Sequence, residues 1–172
     1  MFDPTFSSTR VLQGAVKSAS STIADKVSNV PAEIIAYLLQ LNGELKSSSQ
    51  QEVSIITDRV FEELNTSYAK HLVGICGHYE GSRQLENMLS ISRSFVPKFG
   101  SLLRSYFVEA DILSLAKDKI GSHVLQSFII ESRVFLKTSG PTLTETIKTI
   151  EYIFSVFLPI RSANVQEELM TD

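Results

Sequence analysis

Three residues between positions 71 and 78 are of types that perform chemistry, namely His71, Cys76 and His78. A thiol beside an imidazole can act as a nucleophile, and thiolate and imidazole groups together can bind zinc. Their spacings, five and two positions, match neither one face of a helix nor a usual zinc motif. The sequence also shows no glycine-rich phosphate loop and no nucleophile elbow. We therefore expect no enzyme activity, no catalytic residue, no metal and no cofactor, and we interpret Cys76 as a small core residue.

A second group of polar residues occurs twice in the chain, forty positions apart. Residues 72–89 align with residues 112–129, and apolar positions coincide along both segments. The alignment places the hexapeptide 81–86, Gly-Ser-Arg-Gln-Leu-Glu, over the hexapeptide 121–126, Gly-Ser-His-Val-Leu-Gln. Each copy predicts a helix, a tight turn at the glycine, a serine N-cap, and a second helix whose next residues face outward. A helix-only period of this length is typical of stacked repeats that share a continuous core.

At these residues the sequence resembles the Pumilio (PUF) family of RNA-binding proteins. The second helix of each PUF repeat carries glycine, then serine or asparagine, then an aromatic residue or arginine, with glutamine or glutamate three positions later. Residues 81–86 and 118–126 match this signature, and the long period is closer to the divergent nucleolar protein 9 branch. The resemblance covers roughly residues 30–135. It implies an all-α fold, an α-helical solenoid of PUF-like, armadillo-like repeats in a short or truncated array.

The resemblance further implies that the chain binds single-stranded or loop RNA through one helix face in each repeat. A glutamate carboxylate can accept hydrogen bonds from guanine, a glutamine amide can pair with adenine, and arginine or histidine can stack between bases. The implied RNA-binding residues are Ser82, Arg83, Glu86, Ser122, His123 and Gln126. Phosphate contacts are expected from Arg93, Lys98, Arg104, Lys117 and Lys119. The implied target is pre-ribosomal RNA in small-subunit ribosome biogenesis, with ribosome-assembly proteins as further partners and a nucleolar or nuclear location.

Simpler interpretations of the same residues remain open. Ser82 and Ser122 can be N-caps and nothing more, and Arg83 and Glu86 can be a solvated pair on a helix surface. The net charge of −3 also gives no global electrostatic reason to expect nucleic-acid binding. The alternative function is a helical scaffold that binds a protein partner without RNA or catalytic activity.

The elements that must position these residues are helices, because apolar residues recur every three or four positions almost throughout. A first helix is expected after Asp3-Pro4, and a second begins at Pro31 and ends at Asn42-Gly43. Capping boxes at Ser49–Glu52 and Thr142–Glu145 each predict the start of a later helix. Further helices are expected at roughly 69–77, 82–95, 97–109, 111–120 and 122–137.

These helices divide the chain into four segments. Residues 1–47 hold N-terminal helices that form a cap or partial repeat, residues 48–96 and 97–138 are PUF-like repeats, and residues 139–172 hold a helix and the start of a further repeat. A single cysteine favours a reducing, intracellular compartment. No apolar run approaches the roughly 18 residues that span a bilayer. We therefore expect no membrane association, and no small-molecule substrate.

Overall fold

A computed structural model describes residues 22–137 and 140–158, and within these residues every regular element is a helix. The predicted all-α fold is confirmed for this part of the chain. Two short 3-10 helices, Ala69–His71 and Phe135–Lys137, accompany the longer helices. The α-helices are α1 (Ile23–Ser28), α2 (Ala32–Ser47), α3 (Gln50–Asn65), α4 (Leu72–Gly77), α5 (Tyr79–Ile91), α6 (Phe95–Tyr106), α7 (Glu109–Lys117), α8 (Gly121–Ser132) and α9 (Pro141–Ser155).

The helices lie in three rows because each of the first six packs against the helix three places later in the chain. The first row contains α1, α4 and α7, the second α2, α5 and α8, and the third α3, α6 and α9. The described chain is thus three successive helix triplets, α1–α3, α4–α6 and α7–α9. The segment boundaries expected from the sequence divide the same three-helix period at another point, and packing alone does not determine where a repeat begins.

One continuous cluster of buried apolar side chains joins the rows from α2 to α9. Leu38 of α2 and Leu85 of α5 are fully buried, as are the aromatic rings of Phe99 on α6 and Phe128 on α8. The centroids of these two rings are 6.2 Å apart, so an aromatic pair links the third row to the second. The buried stripes recur at helical spacing, which is why the apolar periodicity predicted helices in this region.

Several helix ends differ from the prediction. The helix expected to end at Asn42-Gly43 continues to Ser47, because Leu45 on its next turn is buried and offsets the roughly 1 kcal/mol cost of a helical glycine. The Ser49–Glu52 capping box is confirmed, since the two residues exchange hydrogen bonds at the start of α3. The box expected at Thr142–Glu145 is wrong. Helix α9 begins two residues earlier than this box implies, at Pro141, whose fixed φ suits the first helical position.

The two turns that precede α5 and α8 are built alike, but not by serine. His78 Nδ1 accepts a hydrogen bond from the Gly81 amide at 3.3 Å, and Asp118 Oδ1 accepts from the Gly121 amide at 2.6 Å. His78 and Asp118 are forty positions apart, so both turns follow the repeat seen in the sequence. The predicted N-cap roles of Ser82 and Ser122 are wrong because both helices begin before these serines.

The glycines of the repeated motif allow two helices to approach closely rather than providing a special backbone angle. A Cβ on Gly81 would lie 2.5 Å from the Ile75 carbonyl oxygen of α4. A Cβ on Gly121 would lie 2.5 Å from a methyl group of Leu115 on α7. Ile75 and Leu115 are themselves forty positions apart, so equivalent positions meet in the second and third triplets, through a backbone oxygen in one and a side-chain methyl group in the other.

Gly74 allows a further close approach, between α4 and α1. A Cβ at this position would lie 2.3 Å from the carbonyl oxygen of Lys26 and 2.6 Å from a methyl group of Val30. The Lys26 side chain crosses to α7, where its ammonium group forms an ion pair with Asp111. The first and third triplets are therefore joined directly, past the short helix α4.

Some expectations fall on residues outside the described ranges. These are the first helix after Asp3-Pro4 and the start of a further repeat within residues 159–172. They stay predictions.

Candidate functional site

The polar residues of the repeated motif lie on the second row of helices. Helix α5 is backed by α4 and α6 and flanked by α2 and α8, and α8 is backed by α7 and α6. The side of α5 and α8 that points away from these backing helices is the one left open. We call this side the row face, and its residues include Arg83 and Glu86 on α5 and His123 and Gln126 on α8. Because α5 and α8 are direct neighbours, equivalent positions on the two helices lie side by side along it.

Ser82 is 1% exposed and does not reach the row face. Its hydroxyl donates a hydrogen bond to a carboxylate oxygen of Glu86, one helical turn later, at 2.6 Å. Glu86 is only partly buried, so its carboxylate remains accessible while this bond restricts its orientation. Ser82 therefore positions Glu86 and cannot itself contact a bound molecule in this structure.

Arg83 is exposed on the row face and is ordered by an aromatic neighbour. Its Nη1 donates to the hydroxyl of Tyr79 at 3.0 Å, and the guanidinium carbon lies 5.5 Å from the centroid of the Tyr79 ring. Tyr79 is itself 55% exposed. The two side chains present adjoining planar groups on which a base can stack. Sequence reasoning missed Tyr79, although its i, i+4 spacing from Arg83 was a usable signal.

The equivalent residues of α8 are more open. His123 and Gln126 are both exposed, and neither side chain has a hydrogen-bond partner within the described ranges. Ser122 is partly buried, and its hydroxyl makes only a long contact of 3.5 Å with the Lys119 carbonyl oxygen. The structure thus brings Arg83, Glu86, His123 and Gln126 onto adjacent helices, with three of them exposed and Glu86 partly so.

Two of the predicted phosphate ligands are already neutralised. Lys98 forms an ion pair of 2.6 Å with Asp58 of α3, and Arg104 forms one of 2.6 Å with Glu145 of α9. Both basic side chains lie on α6, in the third row, so they do not belong to the row face. Each would have to leave a carboxylate before binding a phosphate.

The other three predicted phosphate ligands are exposed. Arg93 follows the C-terminal end of α5, Lys117 is the last residue of α7, and Lys119 lies in the turn before α8. These positions are close in sequence to the ends of the two helices of the row face. Sequence reasoning could not separate these three residues from the paired ones, because ion pairing depends on which helices meet.

A cavity of about 390 Å³ opens between α2 and α5, beside Arg83. The Gln84 side chain that lines it is 5% exposed, and its Oε1 has no hydrogen-bond partner in the described part of the chain. Across the helix junction Asn87 Nδ2 donates to Asn42 Oδ1 at 2.6 Å. The lining residues are Leu39, Asn42, Lys46, Glu80, Arg83, Gln84 and Asn87. The sequence did not indicate this site, because it forms only where α2, which lies outside the repeated motif, packs against α5.

A second cavity, of about 630 Å³, lies at the first row beside the ion pair between Lys26 and Asp111. Lys70 and His71 also line it. Among the described residues, no three side chains of histidine, cysteine, aspartate or glutamate lie close enough together to hold a metal ion.

Cys76 is a core residue, as expected. Its side chain is fully buried on α4, and this burial raises the pKa of the thiol far above its usual value. His71 and His78 are only partly buried, and His78 is engaged as the cap of α5. The arrangement therefore holds the thiol in its neutral, unreactive form.

Comparison with models of protein families, with curated proteins and with solved structures finds no match for this chain. Among the described helices, none combines the length and the apolar character needed to cross a membrane.

Proposed function

We propose that this chain binds single-stranded or loop RNA through the row face, as a short solenoid of PUF-like repeats. The resemblance in sequence makes pre-ribosomal RNA the expected target, in a nucleolar or nuclear setting. The observation that carries the proposal is the pairing of α5 and α8. Two neighbouring helices present an accessible planar or basic group followed by a hydrogen-bonding group, at positions forty residues apart.

The proposed chemistry assigns one base to each helix. On α5, the Glu86 carboxylate accepts from the N–H groups of guanine, and Arg83 stacks on the base. On α8, the Gln126 amide both accepts and donates, which suits adenine, and His123 provides the stacking group. The bond from Ser82 keeps the Glu86 carboxylate in one orientation before RNA arrives.

Helix α2 extends the row but lacks such groups. The N-caps of α2 and α5 are Pro31 and His78, forty-seven positions apart. This register places Ala36 and Leu39 of α2 where α5 has Arg83 and Glu86. Neither replacement can form a hydrogen bond with a base edge, so the described row has two base-reading helices. We expect modest affinity from a site of this size.

The test is a titration with short single-stranded RNAs over a series of salt concentrations. The variant to compare with the wild type carries Arg83→Ala, Glu86→Ala, His123→Ala and Gln126→Ala. The variant removes the stacking contacts with two bases, each worth about 1–3 kcal/mol. This loss predicts at least roughly thirtyfold weaker RNA binding. Contacts from about three phosphate ligands predict that log K falls with log salt concentration with a slope near −2.

The matched control is Lys148→Ala with Glu151→Ala on α9, which also leaves the net charge unchanged. Both residues are exposed, and α9 belongs to the third row. We expect this control to bind RNA like the wild type. Equal binding by the quadruple variant and the control, or no binding by the wild type, would count against the proposal.

The alternative, a scaffold for a protein partner, is favoured by one feature of α9 and the residues after it. Phe154, Phe157 and Leu158 are 45%, 43% and 67% exposed, and Ile147 on the same helix is 36% exposed. Exposed apolar side chains of this size commonly mark protein contacts. Binding of a protein partner that survives the quadruple row-face variant but is lost on Phe154→Ser would support this second function.

A further inference from the structure

Helix α9 has two faces of opposite character. The residues that it buries in the fold are Thr146, Thr149 and Ile153, and two of these three are small and polar. Larger apolar side chains of the same helix are exposed, among them Ile147 and the ring of Phe154. A helix that only had to pack against α6 would be expected to turn its largest apolar residues inward. The outward face of α9 therefore has the composition of a contact surface.

The outward apolar residues follow one stripe. The intervals between them are four, three, four and three positions, which keeps them on one side of a helix and allows them to interlock with a like stripe on a second helix. The helical path continues past Ser155, because the amides of Phe157 and Leu158 both donate to the Phe154 carbonyl oxygen, at 3.0 and 3.1 Å. We call these residues the α9 stripe: Leu143, Ile147, Ile150, Phe154 and Phe157.

The exposed area of the α9 stripe is close to what a dimer needs. The exposed parts of Ile147, Phe154, Phe157 and the adjacent Leu158 total on the order of 400 Å². A stable interface buries about 800 Å² on each partner, and about 65% of a homodimer interface is apolar. The stripe thus supplies most of the apolar area required from one half of such an interface.

The charges of α9 suit a second copy of the chain better than a nucleic acid. Its charged residues are Glu145, Lys148 and Glu151, and Arg104 of α6 pairs with Glu145 at 2.6 Å. Lys148 also pairs with Glu145, at 2.9 Å. Two positive and two negative groups cancel, so two copies can meet here without a surplus of like charge. RNA would instead require cations that are free to bind phosphate.

Another α9 stripe is a better match than the opposite end of the third row. That end is α3, whose exposed residues are polar except for Ile55, which is 63% exposed. Stacking α3 of one copy on α9 of another would cover the stripe with polar side chains and leave a free end for further copies. Pairing two stripes about a two-fold axis covers both and closes the assembly. A helix that followed α9 in the three-row order would pack against α7, so it would not cover the stripe.

We propose that this protein forms a two-fold symmetric homodimer in which the α9 stripes of two copies pack against each other. The inference does not depend on the proposed RNA binding, because α9 belongs to the third row and the row face lies on α5 and α8. In the dimer the exposed residues of α9 are covered by the second copy rather than by another protein, and each copy keeps its own row face.

The test is sedimentation equilibrium of the full chain over a wide range of concentration. We expect one step from the mass of a single chain, 19.1 kDa, to twice that value, with a dissociation constant in the micromolar range. Phe154→Gln keeps a residue that favours helix but removes two half-exposed rings from each dimer. This variant should raise the dissociation constant at least about thirtyfold.

The matched control is Ile55→Gln, which makes the same kind of exchange at an exposed apolar position of α3. It should dimerise like the wild type, and so should the quadruple row-face variant. Circular dichroism verifies that each variant folds. Phe157→Gln, just beyond the last residue of α9, is a second disruption of the stripe if Phe154→Gln does not fold.

Three results would overturn the proposal. A chain that stays monomeric at every concentration would leave the stripe to another protein or to residues 159–172. A dimer that both Phe154→Gln and Phe157→Gln leave intact would have to use another surface. Growth beyond the dimer, weakened by Ile55→Gln as much as by Phe154→Gln, would indicate head-to-tail stacking of α3 on α9.

Discussion

Alanine at Gly74 should loosen α1 from the first row, whereas alanine at Gly43 should stabilise the protein. Both glycines lie inside helices, so each exchange gains up to about 1 kcal/mol in helix propensity. At Gly43 no atom of the described residues outside its own helix turn lies within 4 Å of the added Cβ, and the gain remains. At Gly74 the Cβ would lie 2.3 Å from the Lys26 carbonyl oxygen.

Relieving that contact requires a backbone shift. An ordinary contact begins at 3.4 Å, so α1 and α4 must separate by about 1.1 Å. Overpacking of this kind costs about 1–3 kcal/mol. Because the propensity gain is common to both variants, the difference between their free energies of unfolding should equal this overpacking cost. For a chain of this size the difference corresponds to a gap of roughly 2–12 °C in melting temperature.

The assay is thermal and urea denaturation of the two variants, followed by circular dichroism, with amide hydrogen exchange to locate the change. The exchange of α1 amides should accelerate in Gly74→Ala and not in Gly43→Ala, since α1 contains no buried residue and is held by the contact at Gly74 and the Lys26 ion pair. Equal denaturation midpoints for the two variants would refute the close approach of α1 and α4.

Three further predictions concern individual side chains. The Cys76 thiol should not react with a thiol reagent in the folded protein, because it is buried and its pKa is raised. Labelling followed by mass spectrometry should show a fast reaction only in denaturant, and fast labelling of the native chain would contradict the prediction. Ser82→Ala should reduce affinity for guanine-containing RNA about threefold, because it frees the Glu86 carboxylate, and should lower the melting temperature by no more than a few degrees. A loss of affinity equal to that of Glu86→Ala would show that the hydroxyl is more than a positioning group. Lys98→Ala should lower the free energy of unfolding by about 0.5–1 kcal/mol, because it removes the half-exposed ion pair with Asp58. In urea denaturation this decrease in stability should become smaller at high salt, and a decrease that does not depend on salt would argue against the ion pair.

The helices were predictable because their apolar stripes have one dominant period. Buried residues of α3 such as Val53 and Val60 stand at helical spacing, and Ser49 with Glu52 identified its start. The turn before α5 was harder. Histidine at position 78 is not a usual N-cap, whereas serine is, so the motif placed the cap at Ser82 and the helix start too late. Gly43 misled for a related reason, because the burial of a later residue overrides a local stop signal.

The candidate site was predictable only where it depends on repetition. The forty-residue alignment brought Arg83 and Glu86 together with His123 and Gln126, and the packing of α5 on α8 made them neighbours. What repetition cannot reveal is tertiary pairing. The carboxylate beside Lys98 comes from 40 positions away along the chain, and the cavity at Gln84 exists only because α2 lies against α5.

The ion pair between Lys26 and Asp111 has a mechanical consequence for the whole stack. It ties the first triplet to the third along one edge, past α4, so the outer triplets cannot spread there without separating two opposite charges. The pair therefore resists any bend that would move α1 and α7 apart.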